Sequence, residues 1–268
     1  MRFYSQIKKK KGELFPNKDP FRNGPFGDKE DYLKIYHESK ERKYPNVEEE
    51  CKNLGIQINK SYFDNLALVT QVVKKDSEIN YQHGILLYSY LKSYIEKFGG
   101  QKVTVLETGT ARGYSSVCMS KAINDSGCEG EVITIDYLPY DKKIFWNCIK
   151  DFEGRHTRFE LLSDWKSELD NITFLTGKTK RVLNKIVRDR INFAFLDACH
   201  TEKEVLKEYK FVSNKQMKGD IIIFDDVTPS MFPGVVKALK IIENKKQYKI
   251  KNFKITQHRE IAIAEKLQ

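Results

Sequence analysis

The sequence lacks any apolar run close to the ~20 residues needed to cross a bilayer, so no membrane span is expected anywhere in its 268 residues. It also lacks a C-x-x-C pair. The five cysteines, Cys51, Cys118, Cys128, Cys148 and Cys199, are odd in number and scattered, which argues against a zinc site or a disulfide framework and fits a reducing compartment. No internal repeat or low-complexity tract is present, which sets aside solenoid and fibrous architectures. The N-terminal stretch MRFYSQIKKKKGELF is basic, but no apolar segment or small-residue cleavage site follows it. It does not read as a secretory signal, and a cytoplasmic location is expected.

What is there can build a sizeable core: 40% of residues are hydrophobic and 12% aromatic. The length points to one main domain with an elaborated N-terminal region. A net charge of +10 favours an anionic partner such as a nucleic acid, a nucleotide-sugar or an acidic glycan. The plainer reading is a solvated lysine-rich surface.

Residues 1–100 form the expected N-terminal extension. Its first part is rich in Lys, Asp, Gly and Pro, with turn-forming pieces such as FPNKDP, and a helix is expected over Lys29 to Arg42. Amphipathic helices follow in NVEEECKNLG, DNLALVTQVVKK and HGILLYSYLKSYIEKFGG, the last closed by a Gly pair suited to a helix C-cap. This arm can serve as a lid, an acceptor pocket or an oligomer contact. Tyr81, His83, Tyr62 and Phe63 can line a pocket or belong to the core.

Residues 101–268 alternate short apolar strands with helical segments. Strands are expected at KVTVLET, EVITIDY, ITFLTG, INFAFLDA and DIIIFDD, with helices between them around SSVCMSKAIN, KKIFWNCIKDF, VLNKIV and EKEVLKEYKFVS. That alternation predicts an α/β fold with a mostly parallel, Rossmann-like sheet covered on both faces. After a helix around GVVKALKIIENK, the runs YKIKNFKIT and REIAIAEKL predict an antiparallel hairpin at one sheet edge.

Two constellations carry chemistry. In VTVLETGTARGYSS a strand runs through Glu107 into Gly109 and Gly113, and a helix opens near Ser115. Glycines let the backbone approach a ligand, and the helix N-terminus offers unpaired N–H groups to a carboxylate. The spacing of the glycines departs from the G-x-G-x-x-G of dinucleotide enzymes, so NAD is disfavoured. The next strand ends on Asp136, where a carboxylate can accept hydrogen bonds from two ribose hydroxyls, and FLTGKT offers Gly177 for close approach to a base.

The second constellation lies at the ends of two later strands. FLDACH supplies Asp197 and His200, and IIIFDDV supplies Asp225 and Asp226. Parallel strands end on the same sheet edge, so these side chains can converge beside the glycine loop. Three carboxylates make a hard oxygen site suited to Mg²⁺ or a similar divalent cation, and His200 can act as a base on a bound hydroxyl. Cys199 is the rival nucleophile, but no second basic partner is evident for it.

These residues resemble motifs I and II of the class I S-adenosylmethionine-dependent methyltransferases. Over roughly Tyr81 to Leu267 the pattern resembles the divalent-metal-dependent O-methyltransferases of the catechol and caffeoyl-CoA type and, more closely, the macrocin and mycinamicin type that modify antibiotic sugars. The resemblance implies S-adenosyl-L-methionine as cofactor, with Glu107, Thr108, Gly109, Thr110, Gly113, Ser115 and Ser116 cradling its methionine end. Asp136 would hold the ribose, Tyr137 and Gly177 would lie near the adenine, and Asp197, Asp225 and Asp226 would hold Mg²⁺. His200 stands where the catechol enzymes have a lysine, and Asp225–Asp226 where they commonly have Asp-Asn. Both departures shift the expected acceptor from a phenol toward the hydroxyl of a sugar, glycan or other small molecule. Analogy with the sugar enzymes also implies a homo-oligomer. An RNA or other nucleic-acid methyltransferase is the main alternative, since Lys8 to Lys11 can contact phosphates. Against it, no Asn/Asp-Pro-Pro-aromatic motif follows the fourth strand and no RNA-binding module is appended. A non-catalytic Rossmann-like binding subunit is the third reading, opposed by the full ligand set.

Overall fold

The sheet is built from strands too apolar to face water on either side. β1 (Val103–Thr108) is buried at every position, and β4 (Phe193–Leu196) likewise, as expected for central strands of a sheet covered on both faces. The computed structural model describes residues 21, 24–75, 78–99 and 102–268. With β2 (Gly130–Asp136), β3 (Ile172–Thr176), β5 (Ile221–Phe224), β6 (Tyr248–Lys254) and β7 (Glu260–Lys266), the strands form one seven-stranded sheet in the order β3-β2-β1-β4-β5-β7-β6. β1 to β5 are mutually parallel, and β7 slots antiparallel between β5 and β6. The fold is therefore the mixed α/β sheet with a C-terminal antiparallel hairpin that the alternation of elements predicts.

Strand order reverses between β1 and β4, and Thr108 pairs with Leu196 at their C-terminal ends. The connections after these strands leave in opposite directions, which opens a crevice at that edge. α5 (Tyr114–Asp125) follows β1, while α6 (Glu202–Ser213) and α7 (Pro233–Asn244) cover the other face.

The N-terminal helices α1 (Lys29–Lys40), α2 (Pro45–Asn53), α3 (Lys60–Thr70) and α4 (Gln82–Phe98) pack on the α5 side. One apolar cluster runs from Tyr44 and Phe63 through Leu87 and Val117 to Phe195 and Ile263, so these helices share the core of the sheet. Phe63 and Tyr81 lie inside it, nine-tenths or more buried, and are core residues. α4 is pinned to the start of β5 by Tyr94, whose hydroxyl donates to Asp220 Oδ1 at 2.6 Å while Arg190 Nη2 approaches the same oxygen at 2.8 Å. No helix among the described residues is long and apolar enough to cross a membrane. The lysine run from Lys8 to Lys11 lies outside the described residues.

One expected element is absent. The helix expected around Lys142 to Phe152 is instead an irregular segment with a short 3₁₀ turn at Ile149–Glu153. Asp151 is the reason: its carboxylate accepts from the backbone N–H of Trp146 at 2.8 Å and of Cys148 at 3.2 Å. Such side-chain capture of backbone donors competes with helical bonding, and it drives the Trp146 ring into full burial. The helix expected around VLNKIV is likewise reduced to the turns Thr179–Val182 and Leu183–Lys185.

α6 carries a buried acid, Glu208, that accepts from Thr108 Oγ1 at 2.9 Å and leaves Oε1 without a partner. Burial pushes its pKa from 4.5 up to about 8, so it is neutral in the fold and ionised in the unfolded chain across that window. The folded state then binds the extra proton, and stability falls as pH rises from 4.5 toward 8. Glu208→Gln keeps the acceptor and loses the titration. Thermal melts should show the variant gaining on the parent by on the order of 2 kcal/mol between mildly acidic and mildly alkaline pH; a constant difference across that range would contradict the assignment.

Candidate functional site

The turn after β1 requires glycine twice. Gly109 has φ +96°, and a Cβ there would lie 2.3 Å from the Asp197 carbonyl oxygen. Gly113 has φ +94° and caps α5, and its Cβ would meet Leu162 Cδ1 at 2.7 Å. Both conformations and both approaches exclude a side chain. Between them Ala111 is itself left-handed, with φ 46°.

Beneath the turn sits Glu107, fully buried, accepting hydrogen bonds from Ser115 Oγ, Ser116 Oγ and Thr134 Oγ1. Burial raises its pKa, and the three hydroxyls oppose that rise. Thr110 Oγ1 joins the group at 2.5 Å from Thr134 Oγ1, while Thr108 turns to Glu208. The polar side chains of the turn are thus committed to holding its shape. The surface left for a ligand is backbone, chiefly the N–H groups that open α5.

Asp136 closes β2 and ties the next strand to the same turn. Its Oδ2 accepts from Ala111 N at 2.6 Å and its Oδ1 from Leu138 N at 2.7 Å. Each oxygen keeps a lone pair for a further donor. Tyr137 beside it is 60% exposed, free to lie over a planar group. Gly177 donates its N–H to the Asp136 carbonyl at 2.7 Å and so reaches the same corner from β3.

Arg158 is a residue the sequence did not single out. It is 1% exposed, donates Nε to the Ala111 carbonyl at 3.0 Å, and lies over Trp146 and Phe174 at 5.5 and 5.3 Å. Burial lowers its pKa, with the charges of Asp136 and Glu107 opposing. It braces the turn from below. An arginine within RHTRFE carries no periodicity or motif that signals this role.

The acidic constellation assembles from β4 and β5. Asp197 N donates to the Thr108 carbonyl at 2.9 Å, which sets this carboxylate directly across from the glycine turn. His200 Nε2 lies 3.5 Å from Asp197 Oδ1 and 3.0 Å from Asp226 Oδ2, and Phe232 packs on the imidazole at 4.2 Å between ring centroids. Asp226 reaches inward through a left-handed backbone, φ 56°. One ligand atom from each of Asp197, His200 and Asp226 falls within 4.8 Å of the others. Burial and the charges of Asp225 and Asp226 raise the pKa of Asp197. Burial works to lower that of His200, but the adjacent carboxylates of Asp197 and Asp226 prevail and push it up to about 10. The carboxylates of Asp197 and Asp226, crowded this way, fit a hard divalent cation, with the His200 imidazole beside them.

Asp225 departs from the expectation of a third carboxylate ligand. Its side chain turns into the interior, where Oδ2 accepts from Arg259 Nη2 and the carboxyl is almost fully buried. Burial alone would raise its pKa; the Arg259 guanidinium holds it below the usual carboxylate range. Arg259 also donates Nη1 to the Asn80 carbonyl at 3.1 Å. His83 packs nearby, nearly inaccessible, its pKa driven down to about 3 by burial. Asp225 still follows the line of β5, its N–H donating to the Leu196 carbonyl at 3.2 Å, and the left-handed backbone at Asp226 is what separates the two carboxylates.

Arg259→Met would leave Asp225 buried and uncompensated, and denaturant unfolding should show a loss of about 3 kcal/mol. Adding Asp225→Asn should recover most of it. Equal instability of the single and double variants would mean that the pair is not electrostatically coupled.

Residues 106–227 match the family model described as a methyltransferase domain. Among solved structures, the chain is similar to cofactor-bound Rv0187 from MTB, with TM-score 0.55 and 16% identity over 76% of this chain and 88% of that one. It is similar to the O-methyltransferase TomG from Streptomyces achromogenes, involved in tomaymycin synthesis and solved with SAM, with TM-score 0.56 and 14% identity over 77% and 89% of the two chains. The O-methyltransferase from Bacillus cereus in complex with SAH gives TM-score 0.52 and 15% identity over 84% and 93%. At such identities the likeness shows the fold alone, the mixed α/β sheet described above. No curated protein matches the chain.

Proposed function

We propose, from the match of residues 106–227 to the methyltransferase-domain family model, that the protein is an S-adenosylmethionine-dependent O-methyltransferase, assisted by Mg²⁺ or a similar cation, acting on a hydroxyl of a sugar, glycan or other small molecule. The observation that supports this reading is the close approach of the glycine turn to Asp197, which sets the turn at the end of β1 beside the cluster of Asp197, His200 and Asp226. In this reading the N–H groups opening α5 receive the cofactor's carboxylate, Asp136 accepts from the ribose hydroxyls, and Tyr137 and Gly177 border the adenine. Asp197 and Asp226 are the oxygen ligands of the cation, with His200 beside them; Asp225 supports from behind through Arg259. A bound cation supplies Lewis acidity, lowering the pKa of an acceptor hydroxyl. Asp197 and Asp226 fix where that hydroxyl sits; a cation that offsets their charge removes what holds the proton on His200, and its Nε2 is then free to take the hydroxyl proton. The tight turn holds donor and acceptor in line, which is where much of the rate of methyl transfer from a sulfonium arises.

Calorimetric titration with S-adenosylhomocysteine tests the cofactor assignment: micromolar binding is expected, lost when Gly109→Trp fills the turn. With a hydroxyl acceptor in hand, His200→Ala should lower turnover by about 10²- to 10⁴-fold while leaving S-adenosylhomocysteine affinity within about two-fold. Absence of cofactor binding, or full turnover without His200, would sink the proposal.

A further inference from the structure

Ala111 and Leu138 are each held from two sides. Their N–H groups donate to the two oxygens of Asp136, Ala111 to Oδ2 at 2.6 Å and Leu138 to Oδ1 at 2.7 Å. Their carbonyls accept from Arg158, Ala111 from Nε at 3.0 Å and Leu138, more loosely, from Nη2 at 3.4 Å. One residue of the glycine turn and one beyond the end of β2 therefore span the same carboxylate and the same guanidinium. Two backbone donors fix Asp136, and a single side chain fixes both residues from behind.

Arginine is a costly choice for that place. Arg158 is 1% exposed, and its Nε and Nη2 bond to carbonyl oxygens, not to an acid. A buried cation without a direct counter-ion is unfavourable; the rings of Trp146 and Phe174, at 5.5 and 5.3 Å, offset part of the cost. Ala111 needs the support. Its φ of 46° is disfavoured for a residue with a Cβ and persists only where the surroundings hold it. The chain between β2 and β3 delivers the side chain that does so. Within it Trp146 donates Nε1 to the His156 carbonyl at 2.8 Å, and Arg112, next to Ala111, donates Nε to the Trp146 carbonyl. Arg112 thus reaches from the turn into this segment, and Arg158 reaches from the segment into the turn.

We propose that Arg158 is a positioning residue for cofactor recognition: by holding Ala111 and Leu138 it sets the Asp136 carboxylate to receive both hydroxyls of a ribose, and so selects a ribonucleoside over its deoxy counterparts. This deepens the methyltransferase reading and rests on its assignment of Asp136 to the ribose. A carboxylate oxygen accepts two hydrogen bonds, so each oxygen of Asp136, already taking one N–H, has one place left. Two such places match the two donors of a vicinal diol. If Ala111 relaxes, its N–H leaves Oδ2, the carboxylate turns, and the match is lost.

The test uses the full chain, titrated calorimetrically with S-adenosylhomocysteine and with its 2′-deoxy and 3′-deoxy analogues. The parent should prefer S-adenosylhomocysteine to each analogue by about ten-fold or more, as expected for a hydrogen bond to a charged group. Arg158→Met should weaken S-adenosylhomocysteine by a similar factor and the analogues far less, so that the preference shrinks to within about three-fold. In an Asp136→Ala background the same substitution should cost less than about two-fold further. Arg158→Lys keeps the charge and the buried stem but has one nitrogen for two carbonyls, and it should narrow the preference too, which keeps the test open if Arg158→Met does not fold. Equal weakening of all three ligands, or an undiminished loss in the Asp136→Ala background, would mean that Arg158 only braces the turn and would overturn the inference. A parent that binds S-adenosylhomocysteine without preferring it to the analogues would overturn the assignment of Asp136 and the inference with it. A parent that does not bind S-adenosylhomocysteine would instead overturn the methyltransferase reading.

Discussion

The site depends on one steric constraint: the backbone of Gly109 must pass the Asp197 carbonyl closely enough that a single added carbon would sit at 2.3 Å from its oxygen. That approach joins the ends of β1 and β4, the two strands between which the sheet changes direction. Everything chemical hangs on either side of it. On one side the turn is kept open by Glu107, whose buried carboxylate collects three hydroxyls, and by Arg158 bonded to Ala111. On the other side Asp197 is presented to His200 and Asp226. Moving either strand end would disturb both halves together.

The electrostatics follow from this crowding. Asp197, Asp225 and Asp226 come from neighbouring strand ends, and their mutual repulsion in a poorly hydrated place would be costly if left alone. The fold answers it in two ways. Arg259, carried in by the hairpin connection just before β7, pairs with Asp225 and removes one charge from the balance. His200 stands between the other two as a proton-bearing partner. The C-terminal hairpin is thus more than an edge of the sheet, since its insertion next to β5 is what delivers Arg259.

Much of this was legible in the sequence, and the parts that were not share a cause. The strands, their order of appearance, the glycine turn and the closing hairpin are written in local patterns: apolar runs, Gly109 and Gly113 after a strand, and alternation in REIAIAEKL. Asp197, His200 and Asp226 could be placed together because parallel strands end on one edge. What escaped depends on contacts across long stretches of chain. Asp225 was grouped with its neighbour by type, although in the fold it pairs with Arg259, 34 residues away in sequence. Arg158 belongs to no motif, and only the folded chain brings it to the turn. The helix expected over Lys142 to Phe152 failed because Asp151 captures backbone donors, a choice that helix propensity does not reveal.

The most direct measurement is anomalous diffraction from crystals grown with S-adenosylhomocysteine and Mn²⁺. The account predicts one strong manganese peak between the carboxylates of Asp197 and Asp226, with Asp225 still on Arg259 and the nucleoside lying against Asp136 above the glycine turn. Manganese bound away from these two carboxylates, or S-adenosylhomocysteine seated elsewhere than the turn between β1 and α5, would contradict it.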